Sequence, residues 1–137
     1  MSEVKCVFCQ IIRREAPASI VYEDAAVAAF LSNRPVNVGH TLVVPKKHYK
    51  DIYEMTDDEA AYLFKIATRV AHAIKDATGN GAIRLVQNNG ADAGQVIFHV
   101  HVHVIPMKAG DHLRFENRLR TPVLLDADAA RIRSCLK

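Results

Sequence analysis

The chain has 137 residues, half of them hydrophobic and 24% charged, with a formal net charge of +3 and three cysteines. This length predicts one domain that buries roughly two-thirds of its unfolded surface. The small, dispersed positive charge gives no electrostatic footprint for nucleic acid but is compatible with a phosphate-bearing small molecule. No apolar run approaches the ~18 residues of a membrane span, and the opening Met-Ser-Glu-Val-Lys-Cys holds no leader core. A cytoplasmic protein without a membrane partner is expected, its cysteines thiols or metal ligands rather than bridges.

Cys6 and Cys9 head a short amphipathic segment whose apolar positions Val7, Phe8, Ile11 and Ile12 suit about two helical turns. The pair alone fits half a zinc site, a redox pair or two buried thiols. Residues 19–31 read as two short strands turning at Glu23-Asp24, followed by a turn-rich loop from Ser32 to Gly39. His40 to Pro45 is a third strand and leads to Lys46-Lys47-His48. Thr56-Asp-Asp-Glu59 is a capping box for a helix that Gly79 stops. Leu63, Ile66, Val70 and Ile74 form its apolar stripe, and His72 falls beside that stripe. Ala82 to Gln87 alternates as a fourth strand, and Asn88-Asn89-Gly90 turns it. The glycines of the following loop let backbone N–H groups approach a ligand.

Residues 96–106 carry the densest chemistry: Val-Ile-Phe-His-Val-His-Val-His-Val-Ile-Pro. In an extended strand His99, His101 and His103 share one face while Phe98, Val100, Val102 and Val104 line the other. The β-branched valines favour the strand, and Pro106 ends it. Neighbouring imidazoles stand roughly 6.6 Å apart at Cα, so two could lean toward one metal but not all three. An imidazole also titrates near pH ~6.5, which lets it serve as nucleophile, base or acid. After Pro106 the tail turns polar. Asp126 is expected to cap a short helix through Ala129 and Ile132 to Cys135, His112 to lie on the surface and Cys135 to be a lone thiol.

Gly94-Gln95-Val-Ile-Phe-His99-Val-His101-Val-His103 resembles the His-x-His-x-His signature of the histidine triad (HIT) superfamily, with its preceding Gly-Gln. Gly39-His40-Thr-Leu-Val-Val-Pro-Lys-Lys-His48 is similar to the family's second block, Asn88 stands at the family's spacing before the triad, and the Cys6–Pro17 segment resembles its N-terminal helix. The resemblance spans residues 6–106, in the Hint-like bacterial branch, leaving 107–137 as a variable tail of a single domain.

The resemblance implies an α+β fold: an antiparallel sheet with a long packed helix, continued across a homodimer. It implies binding of purine nucleotides and cleavage at the α-phosphate, on phosphoramidate-type or dinucleoside polyphosphate substrates, through a nucleotidyl-histidine. His101 would be the nucleophile, His99 and His103 would orient it and the phosphate, and His40 would help protonate the leaving group. Asn88 and Gln95 would bind the phosphate and the histidine network, while Val7, Phe8, Ile11 and Phe30 would wall the base. Similarity to bacterial members implies a structural zinc on Cys6, Cys9, His48 and His99. Two departures stand out. Ser32, followed by Asn33, replaces an aspartate that binds both ribose hydroxyls, and Val96 replaces a serine or threonine near the phosphate. Two other functions stay open: a nucleotide-binding regulator with little turnover, and a metal-dependent hydrolase using the His-x-His pair.

Overall fold

The computed structural model describes residues 5–111 and 119–137. The expectation for His112 lies outside them. In chain order the elements are α1 (Val7–Ile12), β1 (Ile20–Glu23), β2 (Val27–Leu31), β3 (Thr41–Pro45), α2 (Asp57–Thr78), β4 (Ile83–Val86), β5 (Val102–Pro106) and α3 (Pro122–Cys135). All strand pairs are antiparallel, in the order β1-β2-β3-β5-β4.

Both faces of this sheet are covered, which explains why β2 and β3 are buried at every position. Along β2, Val27, Ala29 and Leu31 face one way and join Val43, Val102 and Val104 in the main core. Helix α2 adds Leu63, Ile66, Val70 and Ile74 to that core, and α3 adds Leu125, Ala129 and Ile132. Ala28 and Phe30 face the other way, with Leu42 and Val44, and there α1 lays down Phe8 and Ile11 beside Cys6 and Cys9. The histidines occupy this second face.

The α2 boundaries follow the expected chemistry. The Thr56 side chain accepts from the Glu59 backbone, the Glu59 side chain from Thr56, and Gly79 takes the left-handed conformation at φ 77°. His72 is exposed.

Two expectations are corrected. The histidine strand is shorter than residues 96–106, because only Val102–Pro106 pairs in the sheet. Its β3 pairing stops at Val43↔Val102. Pro45, two residues further along β3, has no N–H to extend the ladder, and Val100 N–H instead donates to the Tyr49 carbonyl at 2.8 Å. The facial alternation survives the loss of pairing: Val100, Val102 and Val104 enter the main core and the three histidines stay opposite. Asp126 caps nothing. Thr121 is the N-cap of α3, with Pro122 in its first turn, and Asp126 lies inside the helix accepting from Ser19 Oγ at 2.6 Å. Helix α3 of the tail is therefore part of the core.

Candidate functional site

Two clusters share the second face of the sheet. In the first, Cys6 sits at the N-cap of α1 and Cys9 one turn on, so one helical turn aims both sulfurs the same way. His48, just beyond β3, and His99, before β5, converge on them. Nδ1 of His99 is 3.4 Å from Cys6 Sγ, 3.5 Å from Cys9 Sγ and 3.2 Å from His48 Nδ1, and His48 Nδ1 is 3.3 Å from Cys9 Sγ. All four candidate ligand atoms lie within 4.8 Å of one another. A tetrahedral Cys₂His₂ zinc site has N···N edges of ~3.3 Å and S···N edges of ~3.6 Å, close to these four distances, so this donor set could hold a metal ion.

The tautomer of His99 suits that role. Its Nε2–H donates to the Pro45 carbonyl at 2.8 Å, which leaves the Nδ1 lone pair facing the sulfurs. Burial lowers its pKa to about 4, against the opposing pull of that carbonyl, so the ring stays neutral as a ligand must.

The second cluster is a relay of three rings. His101 donates Nδ1–H to the carbonyl of His99 at 2.7 Å, so its Nε2 carries the free lone pair. The Val36 N–H donates to His40 Nδ1 at 3.0 Å; a backbone amide cannot accept, so His40 carries its proton on Nε2. That Nε2–H meets His103 Nδ1 at 3.0 Å and leaves His103 with its own proton on Nε2. The rings of His101 and His103 meet edge-on, with centroids 4.9 Å apart. One lone pair, on His101 Nε2, and one N–H, on His103 Nε2, are thus carried by adjacent rings.

Burial keeps the relay neutral. It lowers the pKa of His40 to about 3, helped by His103 and His101, and that of His103 to about 4, helped by His101. His101 is lowered by burial as well, although its bond to the His99 carbonyl pulls the other way.

Phe8 fills the space between the clusters. It packs edge-on against His99, His101 and Phe30, with centroids 5.8, 5.1 and 5.4 Å away. Phe8, Ile11 and Phe30 are buried together, whereas Val7 is exposed on the outer side of α1. Ser32 follows Phe30 by two residues, and its N–H donates to the His40 carbonyl at 2.9 Å; exposed Asn33 comes next. Gln95 is buried and committed to backbone: Oε1 accepts from Gly90 N, and Nε2 donates to the carbonyls of Lys50 and Ile97. Half-buried Asn88 lies against Gly94, which adopts φ 92°. Val96 is 81% exposed, an apolar side chain open to solvent.

Three backbone groups complete the clusters without any signal in side-chain spacing: the Pro45 carbonyl, the Val36 N–H and the His99 carbonyl. Only the turn-rich sequence around Val36 hinted that its N–H would be free to donate.

The family model of the HIT domain matches residues 13–110. The chain belongs to the HIT family. HIT proteins are broadly nucleotide-binding hydrolases and transferases. Among similar proteins, the adenylylsulfatase HINT3 of Arabidopsis thaliana is 41% identical over 133 residues, covering 96% of this chain and 68% of its own. An uncharacterized HIT-like protein of Methanocaldococcus jannaschii is 49% identical over 106 residues, covering 77% and 81%. Among solved structures, a hypothetical histidine triad nucleotide-binding protein of Sulfolobus tokodaii superposes with TM-score 0.88 at 41% identity, covering 95% of this chain and 91% of that one. A zinc-bound histidine triad family protein of Mycobacterium smegmatis superposes with TM-score 0.86 at 32% identity, covering 98% and 94%. The five-stranded antiparallel sheet and its helices are thus those of a HIT fold. Among the described residues of this HIT chain, no helix is long and apolar enough to cross a membrane.

Proposed function

We propose that this HIT protein binds a purine nucleoside 5′-phosphoryl compound and cleaves the bond beyond the α-phosphorus through a nucleotidyl intermediate on His101 Nε2. The observation that carries this reading is the bond from His101 Nδ1–H to the His99 carbonyl, which leaves a neutral, buried imidazole with one free lone pair. Apolar Phe8 and Phe30 would wall the base, and Ser32 and Asn33, which follow Phe30 in the chain, would meet the ribose.

In the first step the Nε2 lone pair forms a bond to phosphorus while the bond to the leaving group breaks and its electron pair departs with that group. Water then attacks phosphorus from the vacated side, the P–N pair returns to Nε2, and the proton that water loses passes to solvent, leaving neutral His101 and the nucleoside monophosphate. His103 Nε2–H supplies a hydrogen bond where charge develops on the leaving atom, and phosphoryl transfer gains most from such positioning and charge stabilisation. Both His40 nitrogens have partners inside the relay, so His40 acts through His103, fixing its tautomer, rather than on the leaving group.

Leaving-group chemistry follows from the same relay. Three neutral rings offer a hydrogen bond but no spare proton. An oxyanion leaves unaided, whereas the amine of a phosphoramidate needs a proton. The name of the Arabidopsis relative, an adenylylsulfatase, points in the same direction. Adenylyl mixed anhydrides are therefore the preferred substrates, with phosphoramidates accepted more slowly.

The Cys6, Cys9, His48 and His99 set would hold zinc, with cysteine thiolates and neutral imidazoles closing the tetrahedron. Four protein ligands leave no open position, which argues for a structural ion that ties α1 to the sheet and against a metal-dependent hydrolase. Thiol ligands fit the reducing cytoplasm. The edge strand β4, with Leu85 43% exposed, offers the surface across which a homodimer would continue the sheet.

His101→Asn tests the mechanism. It should retain adenosine monophosphate binding, lose turnover by at least ~10³-fold, and yield no acid-trapped nucleotidyl protein. Wild-type turnover no faster than buffer, with tight monophosphate binding, would instead favour a regulatory sensor.

A further inference from the structure

We propose that Arg120 is a positioning residue for the ribose, holding the Ser32–Asn33 loop in register with the histidine relay. This deepens the proposed function and rests on its reading of Ser32 and Asn33 as ribose contacts.

The loop leaves β2 on the histidine face. Ser32 keeps to the relay through its N–H, 2.9 Å from the His40 carbonyl, but the sheet ends there. The next residue has no strand partner. Its place is set by the Arg120 N–H, which donates to the Asn33 carbonyl at 2.9 Å. Arg120 is in turn fixed by its own side chain: Nε and Nη2 grip Asp128 Oδ2 and Oδ1 at 2.6 and 3.1 Å. Asp128 is 4% exposed, on the same helix as Leu125, Ala129 and Ile132, which are locked into the main core. A two-pronged guanidinium–carboxylate contact fixes orientation as well as distance. A chain of direct contacts thus runs from the main core through α3 and Arg120 to the ribose loop.

This anchor matters because of what stands at position 32. A carboxylate can grip two vicinal hydroxyls at once, but a serine hydroxyl has one proton to give. Ser32 Oγ already accepts from the Arg34 N–H at 3.3 Å, which leaves it one proton to donate and one lone pair to accept with. A single short contact tolerates little displacement, and the loop must be held from outside.

The experiment compares dissociation constants of adenosine monophosphate and its 2′,3′-dideoxy analogue, together with kcat and KM on an adenylyl substrate. The variants are Arg120→Lys and the charge-neutral pair Arg120→Gln with Asp128→Asn, which avoids leaving a buried carboxylate alone. Wild type should prefer the ribonucleotide; both variants should lose at least fivefold of that preference and raise KM, with kcat within twofold of wild type. A folded variant that keeps the full preference overturns the assignment of Arg120 while leaving the nucleotide reading intact. A wild type that binds both nucleotides equally removes the ribose reading, and the role of Arg120 with it. A general loss of folding is read separately in the thermal midpoint, and would leave the ratio of the two affinities unchanged in the molecules that still bind.

Discussion

Removing zinc, or replacing Cys9 by serine, tests the metal centre most directly. Cys9 Sγ touches both imidazoles, 3.3 Å from His48 Nδ1 and 3.5 Å from His99 Nδ1, so its loss removes a whole vertex of the tetrahedron. An ion that binds only the folded chain stabilises it by RT ln(1 + [L]/Kd), about 4 kcal/mol at a thousandfold excess over Kd. For a chain of this size each kcal/mol moves the midpoint by roughly 3–4 °C, so stripping the metal should lower Tm by about 12–16 °C. Helix content should change little. α1 supplies 6 α-helical residues, against 22 in α2 and 14 in α3, and the main core on the opposite face involves neither Cys6 nor Cys9. The assays are metal analysis, which should give one zinc per wild-type chain, and thermal melts followed by circular dichroism with and without chelator. A chelated protein whose midpoint stays within 2 °C of the untreated one, or a purified chain carrying no zinc after growth with it, refutes the assignment.

The remaining predictions concern the relay and the sheet edge. Because burial holds His103 near pKa 4, its charged fraction grows about tenfold for each pH unit lost between pH 8 and 6. Turnover of an adenosine phosphoramidate should climb accordingly after subtraction of the uncatalysed rate, while adenylylsulfate turnover stays flat; parallel profiles would rule out a proton-limited amine. In the homodimer reading, Leu85→Arg should shift the mass measured by light scattering from twice 15.2 kDa toward the single-chain value. An unchanged mass would place the interface elsewhere.

Much of this arrangement can be read from local pattern, and its failures share a cause. The parity of His99, His101 and His103 was legible because strand alternation follows from backbone geometry, and it held even where residues 96–101 left the ladder. The end of that ladder was not legible, because it depends on Pro45 in another strand and on the Tyr49 carbonyl. The start of α3 carries a local signal: Thr121 followed by Pro122 is an N-cap and a first-turn proline. Asp126 has the residue type of a cap, but its partner Ser19 is 107 positions away. Cys6-x-x-Cys9 was readable as half a site, and nothing near it in the chain could supply His48 and His99. The amide of Gln95 likewise bonds to Gly90, Lys50 and Ile97, partners that its own sequence neighbourhood does not specify.

His99 joins the two clusters, and its two contributions come from different parts of the residue. Its ring turns to the cysteines and His48, whereas its main-chain carbonyl fixes the proton of His101. A side-chain substitution can remove only the first. His99→Gln should therefore lose zinc and thermal stability as Cys9→Ser does, yet keep the carbonyl that leaves His101 Nε2 unprotonated. Its turnover should fall through a loosened α1 and a displaced Phe8, by ~10-fold to ~100-fold, well short of the loss in His101→Asn. Metal content and kcat measured on the same preparations separate the two roles. If His99→Gln retains zinc and is as inactive as His101→Asn, the ring belongs to the chemistry and the division of labour between ring and carbonyl is wrong.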